Sequence, residues 1–301
     1  LEEDKSKLLA GCIILYNPTI AVAKNIESYL PFLDILYVID NSESPDTDLE
    51  KKIELLGSRI KYIANYKNIG VASALNLGAR LAFECNYRWL LTMDQDSRLS
   101  GELFFDLWSK YIDQNKETGL VAASYTTEYD RWQKNFSTQF NEIHFAVTSG
   151  NIINLKAWKK VGGYEDKLFI DEVDHDYCLK LRKNGYKILI SKEILMEHMI
   201  GEVYEQGDNK LKRKGRFTLH NPIRYYYMSR NVLFLCSKYF FVDFKFVLAR
   251  GYYLLKVLIK ILLFYPDKKT YLSRFFEGVK DFGLSRYNQY GSAEKEAGIH
   301  G

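Results

Sequence analysis

Five short apolar runs punctuate the first half of the chain: Leu8–Leu15, Ile35–Ile39, Ile60–Ala64, Trp89–Met93 and Leu120–Ala123. Near-continuous apolar character is what a strand covered on both faces requires. Between the runs, apolar positions recur at helical spacing over about Thr19–Leu30, Thr47–Leu56, Val71–Phe83 and Gly101–Gln114. Strands alternating with helices build βαβ units, so the pattern predicts an α/β fold around a mostly parallel, Rossmann-like sheet flanked by helices. Ligands of such sheets bind beyond the carboxyl ends of the strands, which is where the chemistry is sought.

Polar residues collect at those ends. The first strand runs into Tyr16-Asn17-Pro18, the second into Asp40-Asn41-Ser42, and the third is followed by Asn65 to Gly70, with Asn68 between. The fourth ends in Asp94-Gln95-Asp96. Each alone suits an ordinary turn; four at one edge suggest a site. Two carboxylates one residue apart after a strand are expected to point the same way. Hard cations such as Mg²⁺ and Mn²⁺ take oxygen ligands of this kind, supplemented by substrate phosphates. A solvated turn is the bland alternative for an isolated Asp-x-Asp.

The middle of the chain breaks the alternation. Phe145 to Asn151 reads as a strand and turn, followed by a helix near Leu155–Val161. Six acids fall from Glu165 to Asp176, leading into a helix reaching about Asn184. The helix dipole accounts for acids such as Asp171, Glu172 and Asp174 in a first turn; a general base among them is the sharper reading. His198 follows a further apolar strand, Lys187–Ser191, and is either structural or a ligand.

Composition changes the picture in one respect. The 301 residues carry a net charge of only +4, but residues 1–204 hold 24 Lys+Arg against 30 Asp+Glu, and residues 205–301 hold 18 against 8. The expected division is therefore an acidic catalytic domain over 1–204 and a basic, aromatic-rich helical extension over 205–301. Helices are predicted at about Pro222–Lys238 and Phe244–Phe264, the latter bearing Lys245, Lys256 and Lys260 beside a wide apolar arc. Such a helix suits an anionic membrane interface or a homodimer contact; a solvated lysine-rich surface is the plain alternative. No nucleic-acid-binding motif accompanies the basic residues.

Four scattered cysteines (Cys12, Cys85, Cys178, Cys236) fit no metal or redox spacing and read as free thiols of a reducing compartment. The opening Leu-Glu-Glu-Asp-Lys lacks a signal-peptide pattern. The longest apolar stretch, Tyr252–Tyr265, is shorter than the roughly 20 residues of a bilayer crossing.

Taken in order, these segments resemble glycosyltransferase family 2, in its bacterial rhamnosyltransferase branch. Besides the strand ends, the resemblance rests on Asn68-Ile69-Gly70 through Asn76-Leu77-Gly78, Thr148-Ser149-Gly150-Asn151, Phe169 to Leu181, His198 with Gly201, and Arg224-Tyr225-Tyr226-Tyr227-Met228-Ser229-Arg230-Asn231. It implies the GT-A fold and an inverting transfer of rhamnose from dTDP-rhamnose to a saccharide or lipid-linked saccharide. It further implies Mn²⁺ or Mg²⁺ as cofactor and a cytoplasmic enzyme, peripheral at the inner face of the membrane, in cell-surface polysaccharide synthesis.

By the same resemblance Asn41 reads the base, with Tyr16, Asn17, Pro18, Asp40, Asn68, Gly70 and Gln95 around the nucleotide and Asp94 near the ribose. Asp96 and His198 contact the metal, Asp94 being a further candidate ligand. Asp174 is the catalytic base, with Asp171 its rival because Val173 replaces the first acid of the family's pair. Arg224 and Arg230 either bind the diphosphate or form protein ion pairs. Gly150 and Asn151 face the acceptor, and Trp132, in a loop over Tyr125–Gln139, is a sugar-stacking platform or a packed residue. Another nucleotide sugar (galactofuranose or a hexose) and a non-catalytic binding protein are the alternative readings.

Overall fold

The computed structural model describes residues 8–112, 117–126, 140–198, 203–204, 217–218, 220–287 and 289–290. The chain divides into two compact units: Leu1–Asp166 with Val173–Met199, and Lys167–Glu172 with Ile200–Gly301.

In the first unit the alternating pattern becomes β1 (Leu9–Leu15), α1 (Ala21–Glu27), β2 (Ile35–Asp40), α2 (Thr47–Glu54), β3 (Ile60–Ala64), α3 (Val71–Glu84) and β4 (Trp89–Asp94). It continues through β5 (Ser97–Leu99), α4 (Gly101–Ile112), β6 (Thr118–Thr126), β7 (Phe140–Ile143), β8 (Asn151–Asn154), α5 (Leu155–Val161), α6 (Val173–Lys183) and β9 (Lys187–His198). Among the described residues nine strands form one sheet, ordered β3-β2-β1-β4-β8-β6-β9-β5, with β7 also paired to β9. β1, β2, β3 and β4 are parallel, and β6 is parallel to β9. β8 is antiparallel to both β4 and β6.

All seven residues of β1 are buried, as its unbroken apolar run requires. The core beneath the sheet unites Leu9, Ile13 and Leu15 of β1 with Leu36, Val38, Leu91, Met93 and Phe104. Helix starts follow the local chemistry. Asp46 accepts from the Asp48 and Leu49 amides to open α2, and Asn154 accepts from Ala157 N to open α5.

Two expectations need correction. In Phe145 to Asn151 the turn stands at Ser149 and Gly150, but the strand does not precede it: residues 145–147 are irregular and the strand is Asn151–Asn154, directly after the turn. Asp171 and Glu172 precede α6 instead of lying in its first turn, which holds Asp174 and Asp176. The loop with Trp132 and the basic run Lys210–Arg216 lie outside the described residues.

The second unit contains β10 (Val203–Tyr204), β11 (Phe217–Thr218), α7 (Pro222–Tyr239), α8 (Phe244–Phe264) and α9 (Lys268–Gly283). Its core joins Tyr225 and Met228 to Val257, Ile261, Tyr265, Tyr271 and Phe275. Gly278 lets α9 approach α7 closely: a Cβ there would stand 2.2 Å from the Tyr226 carbonyl oxygen. No described helix is long and apolar enough to cross a membrane.

Candidate active site

The carboxyl edge of the sheet is built in two layers. The inner layer is buried and self-paired. Asp40 accepts from Ser42 N at 2.8 Å and from the Tyr62 hydroxyl at 2.5 Å. The Asn41 amide accepts from Asn65 Nδ2 at 2.9 Å and donates to Gly70 O at 3.3 Å, bridging the ends of β2 and β3 to the start of α3. Gly70 itself has φ 82° and ψ 166°, a conformation reserved for glycine, and its amide donates to Asn68 Oδ1 at 3.0 Å. Asn41 therefore spends both ends of its amide on protein groups, an arrangement its apolar neighbours alone did not reveal.

The outer layer is exposed. Asn17, with φ 45°, donates its amide to Ser42 Oγ at 2.8 Å. Tyr16 N donates to Gln95 Oε1 at 2.9 Å, while Gln95 Nε2 returns a bond to Tyr16 O at 3.3 Å. Pro18 follows at half exposure. The reciprocal pair fastens the β1 end to the turn after β4, so that Tyr16, Asn17 and the Asp94-Gln95-Asp96 segment share one rim.

Asp94 closes β4 half-buried, and its amide donates to Ser149 Oγ at 3.0 Å. The chain turns at once, leaving Asp96 exposed; the turn cancels the period-two argument that would aim both carboxylates alike. β5 then pairs with β9 so that Ser97 stands opposite His198. The backbone thus brings His198 beside the residue that follows Asp96. Among the described residues no cluster of three or more His, Cys, Asp or Glu side chains forms a complete metal cage. One or two carboxylates completed by substrate phosphates is the usual way Mg²⁺ is held. Exposed Asp96, one residue beyond half-buried Asp94, fits that open donor set.

The Thr148–Asn151 turn is buried and anchored to β4. Thr92 Oγ1 donates to Thr148 O at 2.7 Å, Gly150 N to Thr92 O at 2.9 Å, and Asn151 Nδ2 to Val147 O at 2.5 Å.

Asp174 lies in the first turn of α6 and receives a bond from His175 N at 2.8 Å, with His175 Nδ1 at 3.3 Å from the same carboxylate oxygen. Burial pushes this carboxyl up, but the His175 side chain, its charge and its amide outweigh burial and hold Asp174 below the ordinary carboxylate value. Asp171 is committed elsewhere in its own unit: Arg224 grips it through Nε at 3.0 Å and Nη2 at 2.9 Å. Arg230 is fully buried, stacked over the Tyr226 and Tyr227 rings at 5.2 and 5.0 Å and bonded to Asn231 Oδ1. Arg224 thus has an ion-pair partner within the protein, whereas the contacts of Arg230 are to an amide, a backbone carbonyl and tyrosine rings.

Sequence reasoning missed Asn76. Its Oδ1 accepts from Trp158 Nε1 at 3.1 Å and Tyr164 N at 2.9 Å, and its Nδ2 donates to Tyr164 O and Asp166 Oδ1 at 2.9 Å each. This one amide ties α3 to α5 and to the start of the acidic run. An asparagine at mid-helix, where the residue is a poor helix former, was the available signal.

A mostly parallel sheet closed by antiparallel strands, with an Asp-x-Asp turn at its carboxyl edge, is the build of a GT-A glycosyltransferase. The chain belongs to glycosyl transferase family 2, whose profile matches residues 13–180, more than half its length. It is 27% identical over 252 residues to the dTDP-rhamnosyl transferase RfbF of Shigella flexneri, covering 75% of this chain and 79% of that one. Among solved structures it is similar to S. aureus TarS in complex with UDP-GlcNAc, with a TM-score of 0.59, 13% identity and coverage of 93% and 81%. It also matches GalNAc-T7 with UDP, GalNAc and Mn²⁺, with a TM-score of 0.52 and 13% identity over 65% of this chain. Only 44% of that longer chain is spanned. The two structural likenesses establish the shared fold, and the family makes this chain a glycosyltransferase.

Asn76→Ala should destabilise the first unit by roughly 2 kcal/mol or more, since it strands Trp158 Nε1 and the Tyr164 peptide, each buried orphan costing about 1–3 kcal/mol. Chemical denaturation followed by tryptophan fluorescence measures the loss; a midpoint unchanged from wild type would remove Asn76 from the framework.

Proposed function

We propose that the protein uses a nucleotide sugar, dTDP-rhamnose, and transfers rhamnose with inversion to a hydroxyl of a saccharide or lipid-linked saccharide. Its setting is cell-surface polysaccharide synthesis. The likeness to a dTDP-rhamnosyl transferase over three quarters of the chain carries the donor assignment. Tyr16, Asn17, Pro18, Asp40, Asn41, Asn68, Gly70, Asp94 and Gln95 form the nucleotide edge, and Gly150 and Asn151 border the acceptor. Asp96 and His198, with Asp94, hold Mn²⁺ or Mg²⁺, which when bound neutralises charge on the diphosphate leaving group.

Asp174 is the base. The acceptor oxygen attacks the anomeric carbon from the face opposite the diphosphate, the carbon–oxygen bond to phosphate breaks, and the hydroxyl proton passes to Asp174. One displacement inverts the anomeric centre and leaves dTDP. Asp171, occupied by Arg224, is the weaker candidate.

We further assign α8 to an anionic lipid surface at the inner face of the membrane. Its buried side carries Phe246, Val257 and Ile261. The opposite arc exposes Phe244, Leu248, Leu255, Ile259 and Leu262, with Leu263 at 62% and Leu248 at 58% exposure. Exposed Lys245, Lys256 and Lys260 line one margin of that arc. Apolar residues bounded by lysines are complementary to acyl chains beneath anionic headgroups.

Three measurements test this reading. Consumption of dTDP-rhamnose should exceed that of uridine-diphosphate hexoses and galactofuranose, and chelator should abolish it. Asp174→Asn should lower kcat by at least about 100-fold, in line with lost general-base catalysis; preference for another donor, or an undiminished rate, counts against the assignment.

The pH dependence has a defined sign. A depressed carboxyl keeps its stabilising charge above the unfolded value and loses it as pH falls through the folded value. The acid limb of kcat should therefore lie below the ordinary carboxylate range. His175→Ala should move it to higher pH, because burial then prevails; a limb that stays in place excludes Asp174 as its source.

In vesicle flotation, Lys256→Gln with Lys260→Gln should weaken binding to phosphatidylglycerol vesicles about 30-fold, each lysine contributing ~1 kcal/mol. Wild-type protein that ignores the vesicles but sediments as a dimer would reassign the face to a second copy.

A further inference from the structure

The second unit holds the short segment that leads into α6 with unusual firmness. Asp171 and Glu172 are consecutive non-glycine residues at φ 63° and 65°, a left-handed conformation that side chains disfavour and that persists where surroundings over-determine it. Four side chains of α7 and α8 do so. Arg224 clasps the Asp171 carboxylate through Nε and Nη2. Arg250 pairs with the buried Glu172 carboxylate. Asn231, wholly buried, donates Nδ2 to the carbonyls of Ile170 at 2.6 Å and Asp171 at 3.1 Å. Arg230 donates Nε to Asn231 Oδ1 at 3.0 Å, fixing which way that amide faces, and Nη2 to Lys167 O at 3.4 Å. Phe169 stacks on Tyr227 with ring centroids 5.1 Å apart.

These contacts absorb the Arg224 to Asn231 motif almost entirely. Its charged and amide groups face a strip of backbone and the Asp171 carboxylate, Arg250 outside the motif takes Glu172, and only Val173 separates Glu172 from Asp174. We infer that Arg224, Asn231 and Arg250 are positioning residues: they hold Lys167–Glu172 in its left-handed turn and so set where the Asp174 carboxylate stands. The inference rests on Asp174 being the base. It gives Arg224 and Arg230 a role distinct from diphosphate binding and explains two adjacent acids that have no proton-transfer task.

The Arg224–Asp171 pair offers the cleanest test, because Arg224 is 42% exposed at its side chain and its loss spares the core. Arg224→Met, Asp171→Asn and their combination are compared in the full chain. Hydrogen–deuterium exchange at the amides of residues 170–176 needs no donor and reads the clamp directly; each variant should exchange at least tenfold faster there. In transfer from dTDP-rhamnose, each single variant should lose about 10- to 100-fold in kcat, as misplacement of a reacting group does. Donor KM should stay within twofold, the double variant should be no worse than the poorer single, and Arg224→Lys should recover part of the rate.

Unchanged exchange in Arg224→Met overturns the inference whatever the donor proves to be. So does a raised donor KM at constant kcat, which signals a phosphate contact. Abolished turnover in Asp171→Asn with near-normal turnover in Arg224→Met would make Asp171 the base and remove the clamp's purpose. Full activity in Asp174→Asn defeats the base assignment itself, and is recognised separately.

Discussion

A polar group that leaves water must find its partner inside the protein, and that constraint organises the carboxyl edge of the sheet. Asp40, Asn41, Ser42, Thr92 and Ser149 are all nearly inaccessible there. Leaving any one unpaired would cost about 1–3 kcal/mol, so each is tied to a neighbouring segment: Asp40 to Tyr62, Asn41 to Asn65 and Gly70, Ser42 to Asn17, Thr92 to Thr148 O, Ser149 to the Asp94 amide. The loops are pinned as a consequence. Groups one step further out, at Tyr16, Asn17 and Asp96, are exposed beside these bonded loops. The buried polar groups brace the edge, and the polar groups above them are left open to solvent.

The strand and helix order of the first unit was legible because its physics is local. A run such as Leu9–Leu15, buried along its whole length, leaves few options besides a central strand. Departures occurred where tertiary partners decide. Phe145 to Gly150 has strand-like composition, yet it forms no strand, because Thr92 of β4 fixes Thr148 and Gly150 and the Asn151 side chain caps Val147 O. Asp171 and Glu172 look like first-turn helix acids, but Arg224 and Arg250, more than fifty residues later in the chain, hold them in a conformation no local propensity predicts.

The candidate site was legible to a similar depth. That four strand ends carry Asn or Asp follows from spacing alone, and the sheet brings them to one edge. What spacing does not convey is division of labour. Asn41 and Asn17 are the same residue type at neighbouring ends, one buried and bonded at both ends of its amide, the other exposed. Two arginines in an aromatic motif suggested a polyanion, because guanidinium groups suit phosphate. They suit carboxylates and tyrosine faces equally well, and only the fold shows which is within reach.

The lowered pKa of Asp174 bears on how a transfer of this kind would use it. A general base is most effective with a pKa near the working pH, where affinity for the proton and ionised fraction are balanced. Asp174 is set the other way: His175 opposes the effect of burial and keeps the carboxylate ionised but weakly basic. Such a group removes no proton from a free hydroxyl. It is suited to orient the hydroxyl by accepting its hydrogen bond, and to take the proton once bonding to the anomeric carbon has made that oxygen acidic. Proton transfer is then late and demands little driving force, while placement of the oxygen demands a great deal. A base of this character depends on position more than on proton affinity, which is consistent with a preceding turn held by three charged or amide groups rather than by solvent.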